Sequence, residues 1–367
     1  MMEILCVHQS AELYGSDRSF VQSVMSIRSL YPKAIITVIV PADGPLIPYI
    51  QKYSDNIRFE DVGAIARADL KKPISLLKKV FSASLKARRN MSRYDIVYVN
   101  TLVVMGYILG SIFSSKQIIN HIREIPSKTE CFLYSFFFRF NGSSLLFNSK
   151  YTRDSFMFLP QKKSYILHNG VPPIECETKS LSKPIQLLLI GRINSWKGQE
   201  VALEAVSVLK NKGIDVTLRI VGGVAQGQDF YLEQIKKLIQ KLQIDDVVKI
   251  HEFTASPNEH FEWANIVLVP STKPEPFGRV AIEAMSARCP VIASAHGGLV
   301  EILEGEEGGL LVTPGSALEI AKSIEAITID ASTFEQFSNA ALERYNSFFS
   351  QQIYVNKFKK IINEIRT

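Results

Sequence analysis

The chain has 367 residues, 46% of them hydrophobic and 21% charged, with a formal net charge of +6. That length is too great for one ordinary core and predicts about two domains, and the composition is that of a soluble globular protein. The most aromatic run, residues 132–138, falls far short of the roughly 18 apolar residues of a spanning helix.

The N-terminus lacks the basic region of a signal peptide. Cys6, Cys131, Cys176 and Cys289 stand far apart, with no CxxC and no His cluster, which reads as reduced thiols in a cytoplasmic protein.

In chain order, short apolar β-type runs alternate with helical stretches. Strands are predicted at 4–7, 35–40, 57–61, 96–99, 117–120, 145–148 and 165–167. A segment rich in Pro, Ser and charge, 171–184, interrupts the pattern and reads as a linker. Strands resume at 185–190, 217–221, 247–251, 266–269, 291–293 and 310–312, with helical runs at 200–209 and 230–241. A basic, apolar-periodic helix, 351–366, closes the chain. Unbroken apolar strands alternating with helices predict parallel sheets covered on both faces. The expected fold class is therefore α/β, two Rossmann-like doubly wound domains in series, facing across a cleft that holds ligands at strand carboxyl ends.

Charge is uneven. Residues 1–178 hold 22 Lys and Arg against 14 Asp and Glu, and the remainder 20 against 22. From Arg67 to Arg93 nine basic residues meet one acid, Asp69, while Ile74, Leu77, Phe81 and Leu85 follow helical spacing. Such a helix suits an anionic membrane surface or an acidic partner; it equally suits a domain helix with one buried and one solvated basic face. It lacks the interleaved aromatics of a nucleic-acid binder.

Five segments carry candidate chemistry. In 274–285, Glu275 and Glu283 stand eight positions apart, with Pro276 and Gly278 between them. Glu275 is expected on a loop and Glu283 inside the helix that Gly278 opens; a helix N-terminus there suits a phosphate, and carboxylates suit sugar hydroxyls. In 188–198, Arg192 and Lys197 follow a strand, and a guanidinium fork with an ammonium fits a diphosphate. In 294–302, Gly297 and Gly298 follow another strand and allow backbone N–H groups to approach an anion. Near the start, Gly15 and Ser16 follow the first strand, and His121 follows a later one. GxGxxG, the P-loop, HExxH, Gly-x-Ser-x-Gly and Asp-x-Asp are all missing, so nothing in the sequence supports a metal-centred mechanism.

Together these segments resemble the retaining glycosyltransferases of family 4, which have the GT-B fold. The resemblance rests on Glu275-Pro276-Phe277-Gly278 leading to Glu283, the E-x7-E signature. It is joined by Gly191-Arg192 with Lys197-Gly198, by Pro290–Ala293 leading to Gly297-Gly298 and Glu301, and by His168-Asn169-Gly170-Val171. It implies an N-terminal acceptor-side domain at 1–172, a nucleotide-sugar-binding domain at 173–350, and a C-terminal helix, 351–367, returning to the first domain.

By the same resemblance, Glu275 holds hydroxyls of the transferred sugar and Glu283 grips the ribose. Arg192 and Lys197 neutralise the donor diphosphate. Phe277, Gly278, Gly297 and Gly298 lie at the donor, Gly15 and Ser16 close on it, and His121 stands near the reacting sugar. No cofactor or metal is implied. The implied activity moves a sugar from a nucleotide donor to a glycan or lipid-linked glycan, as in surface polysaccharide assembly, in the cytoplasm or at the inner face of the membrane. A sugar-nucleotide 2-epimerase and a degenerate, non-catalytic glycan or nucleotide binder remain the alternatives. The sequence departs from the family at Arg288, Glu252 and Tyr14; if position 288 needs positive φ, Arg there costs about 1 kcal/mol.

Overall fold

The computed structural model describes residues 1–64, 73–112, 114–156, 159, 163–224 and 229–366. It divides into two compact units, Met1–Asn169 with Tyr354–Thr367, and Gly170–Ile353.

In the first unit the order is β1 (Glu3–Val7), α1 (Gly15–Leu30), β2 (Ile35–Val40), α2 (Ile47–Ile50), β3 (Asn56–Phe59), α3 (Pro73–Met91), β4 (Ile96–Asn100), α4 (Met105–Gly110), β5 (Gln117–Ile122), α5 (Lys128–Phe140), β6 (Ser144–Phe147), α6 (Lys150–Asp154) and β7 (Ser164–Ile166). The strands form one parallel sheet in the order β3-β2-β1-β4-β5-β6-β7. Val and Ile dominate β1, β2 and β4 because both faces of the sheet are covered. One face packs Ile4, Cys6, Ile96 and Tyr98 against α1 and the last helix of the chain; the other packs Val97, Val99 and Ile118 against α3 and α4.

The second unit runs β8 (Ile185–Ile190), α7 (Gln199–Asn211), β9 (Val216–Val221), α8 (Asp229–Lys241), β10 (Val248–His251), α9 (Asn258–Trp263), β11 (Ile266–Val269), α10 (Arg279–Ser286), β12 (Val291–Ser294), α11 (Leu299–Ile302), β13 (Gly309–Val312), α12 (Ala317–Ile327) and α13 (Ala331–Arg344). Its parallel sheet has the order β10-β9-β8-β11-β12-β13. The final helix, α14 (Gln351–Arg366), belongs to the first unit from Tyr354 onward, and Tyr354 hydrogen-bonds Ser23 at 2.9 Å. Each predicted strand is present, its ends shifted by no more than two residues.

The basic segment left two readings open, an outward apolar face or a buried one. Arg67, Asp69, Lys71 and Lys72 lie outside the described residues, as do the side chains of Ile74 and Leu77. Phe81 and Leu85 are 67% and 47% exposed, so at these positions the apolar residues face outward. The physical reason lies in α4. Its Gly106 and Gly110 offer no side chains, so α3 packs there through small residues; a Cβ on Gly106 would stand 3.0 Å from the Ala83 Cβ, and one on Gly110 2.8 Å from the Ser84 carbonyl oxygen. That close approach turns the small face of α3 inward and its large apolar residues outward.

Candidate active site

In the second unit strand order reverses at β8, whose neighbours are β9 and β11. The loops leaving β8 and β11 therefore diverge to opposite faces, and the crevice at their carboxyl ends is where open α/β sheets bind ligands. The loops are laced together: Thr272 N donates to the Trp196 carbonyl at 2.9 Å, and a Cβ on Gly198 (φ 76°) would stand 1.9 Å from the Pro270 carbonyl oxygen. Asn194 Oδ1 accepts from the N–H groups of Trp196 and Lys197, both at 3.1 Å, folding the β8 loop back on itself. Gln199 donates to the Arg192 carbonyl at 2.9 Å.

These loops bring Lys197 and Glu275 together, Nζ to Oε1, at 2.8 Å. The Ser271 hydroxyl donates to the same Oε1. Burial would push the Glu275 carboxyl up, but Lys197 and the Ser271 hydrogen bond hold it below the usual range, so it is a carboxylate at neutral pH. His296 Nε2 donates to the Ser271 carbonyl oxygen at 2.7 Å, which fixes its tautomer. Gly298 N donates to the Glu275 carbonyl oxygen at 2.8 Å. At Gly297, φ is 65° and a Cβ would stand 2.4 Å from that same oxygen, so only glycine lets the β12 loop run this close.

Gly278, at φ 114°, opens α10 as expected, and Glu275 sits on the loop before it. The first N–H groups of α10 have no intrahelical acceptor, which makes its start suited to anions. Glu283 lies inside α10 and pairs with Arg279 at 2.8 Å. Arg192 stands exposed on the β8 loop. The Phe277 ring is 2% exposed and packs on Phe349 at 6.0 Å, which leaves its backbone, not its side chain, for a ligand. Lys197, expected at the diphosphate, is held in this structure by the buried Glu275 carboxylate.

In the first unit the strand order reverses between β1 and β4. Gly15 is exposed and Ser16 half-buried in the first turn of α1. Asp17 braces that turn, accepting from Tyr14 N at 2.9 Å and from His8 Nε2 at 2.8 Å. A buried network continues through His8 to Asn100 at 2.9 Å and from Asn100 to Arg123 at 2.7 Å. Thr101, just past β4, holds φ at 77°, an uncommon conformation for a β-branched residue.

His121, expected near the reacting sugar, is 0% exposed and stands one residue before the carboxyl end of β5. Its Nδ1 lies 2.6 Å from the Tyr98 hydroxyl and accepts from Arg123 at 3.2 Å, so the proton sits on Nε2. Burial, then Arg123, pushes its pKa well below the ordinary value. Its Nε2 has no hydrogen-bond partner among the described residues.

Sequence reasoning overlooked Ser271, His296, Asp17 and His8. His296 sits within a motif already singled out for its glycines, and Ser271 follows a strand four residues before Glu275. Only the fold shows that they converge.

Residues 174–344 match the family described as glycosyl transferases group 1. A D-inositol 3-phosphate glycosyltransferase of Arthrobacter sp. strain FB24 is 35% identical over 159 residues, 42% of this chain and 37% of that protein. The amylovoran biosynthesis glycosyltransferase AmsK of Erwinia amylovora is 26% identical over 222 residues, 57% of this chain and 53% of that protein. The chain thus aligns with about half or less of the length of these relatives. Among solved structures, Anabaena HepE in complex with UDP-glucose has a TM-score of 0.81 at 22% identity, covering 99% of this chain and 100% of that one. Residues 174–344 thus match the glycosyl transferases group 1 family, and the fold of the chain is GT-B.

Proposed function

We propose that the protein is a metal-independent, retaining glycosyltransferase of family 4 that moves a hexose from a nucleotide sugar to a glycan or lipid-linked glycan. The observation that carries this is the buried Lys197–Glu275–Ser271 cluster beside the start of α10, at the switch point of the second unit. With Oε1 of Glu275 engaged twice, its other oxygen is left to accept from hydroxyls of the transferred sugar. Glu283 takes the ribose hydroxyls in exchange for Arg279. Arg192, Lys197 and the N–H groups at the start of α10 take the diphosphate.

Cleavage of a sugar–phosphate bond builds negative charge on the departing diphosphate. Fixed cations and N–H dipoles stabilise that charge most in the transition state. Glu275, the carboxylate of the cluster, is assigned in this reading to hydroxyls of the sugar, which leaves no carboxylate of the cluster to act as nucleophile. The acceptor therefore attacks on the face the diphosphate leaves, and the departing phosphate takes its proton. His121, enclosed in the sheet, serves by holding Tyr98 and Arg123 rather than by touching sugar.

The relatives support the substrate class: HepE was crystallised with UDP-glucose, and AmsK is named for amylovoran biosynthesis. A lipid-linked acceptor goes with a peripheral position at the inner face of the membrane.

The test is a thermal-shift screen with UDP-, GDP- and ADP-sugars in the presence of EDTA. Ligand at about 100 times its Kd stabilises by about 2.7 kcal/mol. One nucleotide is expected to raise Tm in the native protein and not in Glu283→Ala. No shift at millimolar ligand would refute donor binding, and a trapped covalent glycosyl-enzyme would refute same-face attack. Turnover of the donor without acceptor would favour an epimerase.

A further inference from the structure

We propose that the first unit docks on an anionic lipid bilayer through the outward faces of α3 and α5. Both helices cover the same face of the seven-stranded sheet. Ala87 and Met91 of α3 pack with Val97 and Val99, and Cys131, Tyr134 and Phe138 of α5 pack with Ile122, Leu145 and Phe147. Register puts these strand residues on one side: Val97 pairs with Ile118, and Ile122 with Phe147.

The opposite sides of the two helices point away from the sheet and carry large apolar residues. On α5, Phe132, Leu133, Phe136 and Phe140 are 58%, 44%, 53% and 47% exposed. Their spacing sets them in one stripe along the helix. Phe81 and Leu85 on α3 are exposed likewise. Solvated surfaces rarely concentrate six such residues in one helical layer.

The accompanying charge says what covers them. Lys78, Arg88 and Arg89 of α3 are exposed, and α3 contains no acidic residue; α5 adds Lys128 and Arg139 against Glu130. Aromatic rings inserted at the acyl boundary, with cations level with the headgroups, describe an interfacial surface. A second copy on the same face would set cations against cations, so the bilayer is the complementary occupant. Among the described residues no helix is long and apolar enough to cross a membrane. The surface is read from the first unit alone; its purpose, bringing a transferase to a lipid-linked acceptor, rests on the function proposed above.

The experiment is vesicle flotation of the whole chain, which needs no turnover. Vesicles of equal parts phosphatidylcholine and phosphatidylglycerol are compared with phosphatidylcholine alone. The native protein should float with the anionic vesicles at least tenfold more than with the neutral ones, and less at about 1 M salt, where the Debye length is about 3 Å. Phe132→Ser with Phe136→Ser, and separately Lys78→Glu with Arg88→Glu and Arg89→Glu, should each lower binding at least tenfold. Because all five side chains are exposed, an unchanged Tm would show that the variants fold. Flotation indifferent to both sets of changes would overturn the proposal. So would a dimer in sedimentation that Phe132→Ser with Phe136→Ser abolishes while the native protein ignores vesicles. Loss of flotation with donor binding retained would leave the transferase reading standing, and the converse would leave the docking surface standing.

Discussion

Three glycines of the second unit separate two costs that usually arrive together. Gly213, after α7, has φ 74° and nothing within 4 Å of an added Cβ. Gly298 has φ −69°, open to any residue, but an added Cβ would stand 2.5 Å from the Phe277 Cα and 2.7 Å from the Pro276 carbonyl oxygen. Gly297 combines φ 65° with contacts of 2.4 and 2.6 Å to the Glu275 backbone oxygen and nitrogen.

Gly213→Ala should therefore cost only the left-handed conformation, about 1 kcal/mol. Gly298→Ala should cost the displacement of backbone that cannot rotate aside, about 2 kcal/mol. Gly297→Ala should cost both, about 3 kcal/mol. It should also move the peptide that carries Glu275, so its thermal shift with nucleotide sugar should fall while that of Gly213→Ala persists. Urea midpoints at constant m-value measure the first quantity. A Gly297→Ala protein no less stable than Gly213→Ala would refute the argument that the β12 loop is wedged against Glu275.

Lys197→Ala should leave the buried Glu275 carboxylate unneutralised and cost about 2–3 kcal/mol at pH 7. In the native protein the depressed Glu275 pKa contributes stability above the unfolded value, lost as pH falls through the folded one. In the variant burial is no longer opposed by Lys197, though the Ser271 hydrogen bond remains, and the pKa rises, so the deficit should shrink toward pH 4.5; urea midpoints at both pH values check this, and an equal deficit at both would refute it. His8 and His121 are buried with lowered pKa values, so below about pH 6.5 the unfolded chain binds protons that the folded one refuses. Stability should fall with pH there, by up to about 1.4 kcal/mol per unit for each histidine. Burial raises the Glu124 carboxyl, which works in the opposite sense. A flat stability profile from pH 7 to 5.5 would contradict the assignment. Arg288 has φ 57° and a 3.1 Å hydrogen bond to Asn339. Arg288→Gly should stabilise by about 0.5 kcal/mol, the conformational relief less the added freedom of the unfolded chain; chemical denaturation giving a loss instead would show that the Asn339 contact dominates.

Much of this molecule is set by local pattern. Strands such as Ile35–Val40 are unbroken runs of apolar and β-branched residues, so their length and burial on both faces are legible without neighbours. The turn into α10 is equally legible, because Gly278 can hold a conformation that most residues avoid. The same holds for Arg288, whose positive φ is the strain that its unusual residue type implied.

What the sequence left open depends on which residues meet. Lys197 and Glu275 are far apart along the chain, and only the reversal of strand order at β8 brings their loops together. Ser271 and His296 join them because the β12 loop passes against Glu275. The orientation of α3 was undecidable from periodicity, since a stripe of Phe81 and Leu85 reads as core until the glycines of α4 are known to take the smaller face. His121 read as lying just past its strand, but the structure extends β5 through it and encloses it beside the Arg123 network. Periodicity along a chain fixes which segments have an apolar side; packing alone decides which side is covered, because that choice compares contacts across the whole fold.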